Sequence, residues 1–410
     1  MKTFLILGAG TGGTMMANKL ARKLSPEEWK IILVDKDEQH YYQPGFLFIP
    51  FGYYKPKVVV KPKRKYVPSG VEFIISEIES IEPAANKVTL SAGKRVIQYD
   101  QLLIATGTDI HPEEIEGLKE GGWHKNIFDF YTFEGAVALH NFLDKFQGGR
   151  LVINIAEMPI KCPVAPLEFA FLADYYFQQR GIRDKVDLIY TTPLPGAFTK
   201  PKAASVLGDF LGRKGIHVEP DFAVSAVDSG KNTISSWDGR AIDYDLLVTI
   251  PTNMGADVIG RSGLGDDLNF VPTNKNTLQS VKWPNIWVIG DAANVPASKA
   301  GATVHFESDV LFENILRSLR GEELQPDYDG HVSCFIESGF NKALLIDFSF
   351  ETEPLPGAYP LPGIGPMKLL GESWLNHMGK LGFKWMYWNL MCNGLPIPLP
   401  AKFSMVGKRP

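Results

Sequence analysis

Cysteine is scarce in this chain of 410 residues: only Cys162, Cys334 and Cys392 are present, and none sits in a CxxC pair. Three such isolated residues exclude a disulfide scaffold and a thiolate zinc site, so no metal is expected. They leave two readings, small buried apolar side chains or reactive thiols. No apolar run of about 18 residues occurs, so no membrane-crossing helix is expected. Basic charge is not in excess either. The 42 Lys and Arg stand against 46 Asp and Glu, a formal net charge of −4, which gives no reason to expect nucleic acid as a partner. Met1 runs directly into an apolar strand rather than a leader pattern, so no leader peptide is expected. What the chain does have is length for two or three domains, with 45% hydrophobic residues to fill a large core.

The segment KTFLILGAGTGGTMMANKLARKL reads as a buried-type strand, a glycine-rich turn and an amphipathic helix. Gly8, Gly10 and Gly13 fit G-x-G-x-x-G, and Gly12 adds another permissive position. The first glycine allows a tight turn, the second lets backbone approach a pyrophosphate, and the third lets helix pack closely on strand. The helix N-terminus then offers free N–H groups and a positive dipole end. A second apolar strand, KIILVDKD, ends at Asp35, whose carboxylate can take both hydroxyls of an adenosine ribose. Thr11 in the turn and Lys36 after Asp35 complete this candidate set.

Two further segments share this character. YDQLLIATGT is an apolar strand ending in Ala105, Thr106 and Gly107, and PNIWVIGDAANVP is a strand ending in Gly290 and Asp291. In this order, across roughly residues 1–319, the motifs resemble the flavoproteins with two dinucleotide-binding domains. The resemblance implies an α/β fold of two Rossmann-like domains of the FAD/NAD(P)-binding type. The FAD domain would occupy 1–110 and 251–325, the second Rossmann-like domain 111–250, and a C-terminal redox-cysteine and membrane or quinone region 326–410. It also implies FAD at the first site, with Asp291 on the ribityl chain and the helix opening near Gly301 aimed at the cofactor. Lys299 would place a cation near the pyrimidine end of the flavin; the alternative is an ordinary surface lysine.

The stretch LVINIAEMPIKCPVAPLEFAFLADYYFQQRG repeats the strand–loop–helix plan without its glycines. Pyridine-nucleotide members of the resembled group carry a second glycine motif there. Here Pro159, Pro163 and Pro166 fix φ and remove donors, and Glu157 would repel a phosphate, so NAD(P)H binding is not expected. Cys162 stands in the loop beside Lys161, just before a helix beginning near Pro166. The helix end and the lysine are both expected to depress its thiol pKa. Glu168 follows in the first helical turn, either as a carboxylate that stabilises the dipole or as a proton carrier beside the sulfur.

A cysteine in the remodelled loop as C-x-x-x-x-x-E, here Cys162 to Glu168, resembles the sulfide:quinone oxidoreductases and the related flavocytochrome c sulfide dehydrogenases. The resemblance implies a second redox cysteine after the Gly-Asp strand, for which Cys334 in HVSCFIESGF is the fitting position. A Cys162–Cys334 disulfide would then carry electrons from hydrosulfide, oxidised to polysulfide or sulfur, through FAD to a membrane quinone. Many members have a further cysteine upstream of the first; this chain has none there. It also has none near DEQHYYQPGF, where covalent members attach flavin, so FAD is expected to be non-covalent. The alternatives are a protein acceptor, as in flavocytochrome c, or a type II NADH:quinone reductase.

The tail from Met367 repeats bulky apolar residues at spacings of four and three: Leu370, Trp374, Met378, Leu381, Trp385 and Trp388. With six Lys and Arg against one acid, Glu372, it suits the headgroup boundary of a membrane, lying in it rather than crossing it. The bland alternative is a helix packed on its own domain or on a second copy in a homo-oligomer. By the resemblance these would be amphipathic membrane-associating helices near a quinone entrance, positioned by the turn PLPGIGP, and the protein a peripheral one of the cell membrane. Phe340, Lys342 and Phe383 have the character of quinone-site residues, and Cys392 reads as structural.

Overall fold

The computed structural model describes residues 1–361, 365–397 and 399–409. Two five-stranded parallel sheets form its centre. The first runs in the order Ile286–Val288, Gln101–Ile104, Lys2–Leu7, Trp29–Asp35, Glu72–Ile75. The second runs Ile127–Phe128, Leu246–Ile250, Gly149–Ile155, Val186–Thr191, His217–Glu219. Each places its glycine-turn or cysteine-loop strand in the middle. Strands covered on both faces read as continuous apolar runs, and Phe4 to Leu7 and Leu151 to Ile153 are accordingly buried throughout.

The chain crosses between the sheets twice, and the crossings pair with each other as antiparallel strands, Thr108–His111 with Thr252–Gly255. A second link is an isolated bridge between Lys161 and Lys299. Both sheets therefore turn the carboxyl ends of their central strands toward one region, where open α/β sheets bind ligands.

A four-stranded sheet closes this region from the C-terminal side, in the order Val332–Gly339, Lys342–Phe348, Gly365–Leu369, Gly357–Leu361. Its first strand packs against the helix Ala165–Gln179, and the helix Trp374–Asn389 packs over the first two strands. Ser373 caps that last helix by accepting a hydrogen bond from the Asn376 N–H.

The described tail contains one α-helix rather than several, and no helix among the described residues is long and apolar enough to cross a membrane. The apolar face expected in the tail splits. Trp374, Met378 and Trp385 are exposed, but Trp388 is buried and stacks on Tyr66 with ring centroids 5.4 Å apart. Residues 362–364 of the PLPGIGP turn lie outside the described residues. Cys392 is fully buried, its sulfur 3.6 Å from His40 Nε2.

Candidate functional site

A cavity of about 880 Å³ opens where the two parallel sheets and the C-terminal layer meet. Gly8, Gly10, Thr11 and Gly12 line one end of it, together with Asp35, Lys36 and the Ala105–Thr106–Gly107 turn. Gly8 has φ +98°, and a Cβ on it would stand 2.3 Å from the Ala105 carbonyl oxygen. Gly13 lies beneath the cavity rather than in its wall, where a Cβ would come within 1.8 Å of the Gly8 oxygen. Only glycine permits that approach of helix to strand. A Cβ on Gly10, by contrast, would meet no protein atom within 4 Å. The turn thus presents bare backbone to open space, and the helix Thr11–Ala21 begins behind it with no side-chain cap. Thr106 Oγ1 is buried here without a hydrogen-bond partner among the described residues. Bare backbone, an uncapped helix start and an unpaired hydroxyl fit the pyrophosphate and ribityl parts of a dinucleotide such as FAD.

Asp35 is already partly engaged. The Ala9 N–H donates to its Oδ2 at 2.6 Å, and the buried Lys63 ammonium lies 2.7 Å from its Oδ1. A carboxylate has about four acceptor positions, so capacity remains for ribose hydroxyls. Lys36 sits at the exposed rim, 3.5 Å from Asp109.

Asp291 is half-buried, and desolvation raises its pKa while Lys299 and Lys161 oppose the rise. Lys299 is more than a surface lysine. Its ammonium donates to the Asp291 and Ala293 carbonyls, both at 2.8 Å, and lies 4.0 Å from the centre of the Phe270 ring. It clamps the Gly290–Asp291 turn, and together with Gly301 it lines the cavity.

Cys162 and Cys334 open onto the same cavity, Cys162 from the loop before the helix Ala165–Gln179 and Cys334 from the strand Val332–Gly339. Both thiols are free. Cys162 adopts φ +50°, unusual for a side chain other than glycine. Three hydrogen bonds hold it there: its N–H donates to the Lys299 carbonyl at 2.6 Å, and its own carbonyl accepts from Tyr131 Oη and from the Ala165 N–H.

The expected depression of the thiol pKa is not found. Burial, then the nearby Glu168 carboxylate, pushes Cys162 up to about 12, with Lys380 pulling only partly the other way. Burial and the neighbouring Cys162 raise Cys334 as well. The physical reason is position. Lys161 turns its ammonium toward the Thr108 carbonyl, 3.5 Å away, and the partly buried Cys162 lines the cavity together with Glu168.

Glu168 is buried and is not a bare first-turn carboxylate. Its Oε1 accepts the Glu337 N–H at 3.0 Å, and Lys380 of the tail helix donates to its two oxygens at 2.7 and 3.0 Å. Lys380 also donates to the Phe335 carbonyl at 3.0 Å. Burial raises the Glu168 pKa against the pull of Lys380. Burial disfavours the charge on Lys380, yet Glu168, Cys162 and Glu337 outweigh it, and the Lys380 pKa is raised. Behind this pair, Glu337 is pushed up to about 8 by burial, and its carboxylate meets His377 Nδ1 at 2.9 and 3.0 Å.

Sequence reading missed Lys380, His377, Glu337 and Lys63. The signal for the tail pair was faint: Asn376, Lys380 and Tyr387 lie on the inner side of a helix whose outer side is apolar. Tyr387 exchanges hydrogen bonds at 2.8 Å with Thr11 Oγ1 and with His40 Nε2, so this helix touches the glycine turn directly.

Of the quinone candidates, Phe383 lines the cavity from the tail helix beside Met386. Phe340 and Lys342 do not. They flank the turn between the first two strands of the C-terminal sheet, where Phe340 packs on Tyr175 at 4.5 Å and under Lys214 at 4.7 Å. Cys392 is likewise outside the cavity lining.

The chain is similar to known proteins in sequence and in fold. Residues 2–140 match the pyridine nucleotide-disulphide oxidoreductase family. The mitochondrial sulfide:quinone oxidoreductase of Mus musculus is 28% identical over 95% of this chain and 86% of its own length. The sulfide-quinone reductase of Aquifex aeolicus is 28% identical over 78% of this chain and 77% of its own. Among solved structures, the sulfide:quinone oxidoreductase from Aquifex aeolicus superposes with a TM-score of 0.79 at 21% identity, covering 96% of this chain and 92% of that one. Over most of its length, then, this chain is similar to the sulfide:quinone oxidoreductases.

Proposed function

We propose that the chain is an FAD-dependent sulfide:quinone oxidoreductase that works through Cys162 and Cys334. The observation that carries this reading is the meeting of two cysteines, from separate parts of the chain, on one cavity whose far end is the glycine cradle. The homology agrees with it.

In its oxidised form the pair is a disulfide, and hydrosulfide attacks one sulfur. That sulfur becomes a persulfide and the other leaves as a thiolate. Sites that raise both thiol pKa values favour protonation of the leaving sulfur. Glu168, held by Lys380 beside the loop, is the carboxyl placed to move that proton. When bound, FAD supplies the two-electron relay from this pair to a quinone. Phe383 and Met386 offer the quinone an apolar wall. A second hydrosulfide attacks the outer sulfur of the persulfide, which leaves as polysulfide and returns a thiolate, and reclosing the disulfide gives up the two electrons that bound FAD would relay.

Non-covalent FAD is supported by the thiols available, because Cys392 stands outside the cavity and leaves no cysteine but the redox pair to form a thioether. The exposed Trp374, Met378 and Trp385 favour a peripheral position on the membrane that holds the quinone. The second loop contains no glycine, which argues against NADH as donor, since a pyrophosphate needs close approach of bare backbone.

The test is spectroscopic. Anaerobic sulfide should bleach the visible flavin band of the loaded protein, and a quinone analogue should restore it. Bleaching by NADH with none by sulfide would overturn the proposal.

A further inference from the structure

Charge is segregated in this chain. Residues 39–71 and 373–410 contain no Asp or Glu, yet together hold eleven of the 42 Lys and Arg. The fold brings the two segments together. Lys61 lies 4.4 Å from the centre of the Trp388 ring, and Lys384 lies 4.0 Å from that of Tyr54. Three of the eleven, Lys63, Lys380 and Lys408, point inward to Asp35, Glu168 and Asp347, and Lys402 pairs with Asp327. Arg64 pairs with Glu38 at 3.1 Å, which marks the edge of the patch. Lys55, Lys57 and Lys65 are exposed, and none makes an ion pair among the described residues.

The helix beside this patch is amphipathic in the reverse sense. Asn376, Lys380 and Tyr387 face the protein, whereas Trp374 and Trp385 are 58% and 61% exposed, with Met378 between them. An outward row of Trp and Met fits an apolar partner, and a fringe of unpaired lysines fits a negative one. Both conditions are met at the headgroup boundary of an anionic phospholipid bilayer.

We infer that residues 53–65 and the helix Trp374–Asn389 form one docking face that selects anionic phospholipid headgroups. Lys55, Lys57 and Lys65 supply the charge, and Trp374 and Trp385 supply the insertion. The inference rests on the peripheral-membrane reading above and adds a lipid preference to it. Each lysine held near an anionic surface contributes roughly fivefold in affinity, so the three together account for about a hundredfold. Salt should weaken that share through screening.

The test uses the FAD-loaded full chain with vesicles of phosphatidylcholine alone and of phosphatidylcholine mixed with phosphatidylglycerol. Wild type should bind the mixed vesicles at least about tenfold more tightly, and the Lys55→Gln/Lys57→Gln/Lys65→Gln variant should lose that preference. The variant's binding to neutral vesicles, and its turnover with a water-soluble quinone analogue, should stay at wild-type levels. Equal binding of wild type to both vesicles would overturn the headgroup inference and leave the membrane reading standing. A preference that survives in the triple variant would overturn it too. No binding to either vesicle would overturn both readings.

Discussion

The chain contains two strand–loop–helix units with the same place in their sheets, Lys2–Ala21 and Gly149–Gln179, and they present opposite materials to the cavity. The first presents backbone: a turn in which a Cβ on Gly10 would meet no protein atom within 4 Å. The second presents side chains, Cys162 and Glu168, from a loop held by hydrogen bonds to Lys299, Tyr131 and Asn253. A single scaffold therefore serves either to cradle a phosphate or to aim a thiol. Which it does depends on whether a short loop spends its residues on glycine or on chemistry.

The sharpest way to break the comparison is to remove the thiol from the second loop. Cys162→Ser should lower sulfide-dependent quinone reduction by about a thousandfold or more while flavin content, read from absorbance, stays at the wild-type level. Next in size, Lys380→Met leaves the Glu168 charge buried without its partner and should cost about 4 kcal/mol in denaturant unfolding. The double variant Glu168→Gln/Lys380→Met should regain part of that loss, which would separate a stranded charge from a simple packing defect.

The first loop should fail differently. Gly13→Ala forces the helix off the strand, costing about 2–3 kcal/mol, and the protein should be purified with little or no flavin. Retention of full flavin in Gly13→Ala would mean that the cradle does not depend on the close approach seen here.

The smallest effect concerns pH. Glu337 has its pKa raised from the ordinary 4.5 to about 8, so the folded chain holds this proton more tightly than the unfolded one does. Its contribution to stability is complete below pH of about 4.5 and is lost as pH rises through about 8. Glu337→Gln should flatten the decline in unfolding free energy across that window, measured by denaturant titrations at several pH values.

Much of the first unit was legible because its chemistry is local. Three glycines, a strand end at Asp35 and the turns at Thr106 and Asp291 lie where nearest-neighbour rules place them, and all three turns line the cavity. The second unit was legible as a loop that had lost its glycines and gained a cysteine. Its electrostatics were not. The lysine beside Cys162 in sequence points elsewhere, and the lysine that matters stands 212 residues from Glu168. No periodicity joins them, because the contact is made only when the tail helix folds back over the C-terminal sheet. For the same reason Phe340 and Lys342 looked like site residues while sitting at a hairpin turn away from the cavity. Sequence gives their character but not the direction in which the turn faces.

The hydrogen bond from the Cys162 N–H to the Lys299 carbonyl has a consequence for motion. The same lysine's ammonium grips the Asp291 and Ala293 carbonyls, so the sulfur-bearing loop and the turn of the first sheet share one short stretch of backbone. The two halves cannot swing apart without tearing that stretch. The separation between the Cys162 loop and the Gly290–Asp291 turn is thereby held by Lys299 through three hydrogen bonds. Under the proposed function, the chain's rate should then depend on the arrival of sulfide and quinone rather than on a hinge between these two halves.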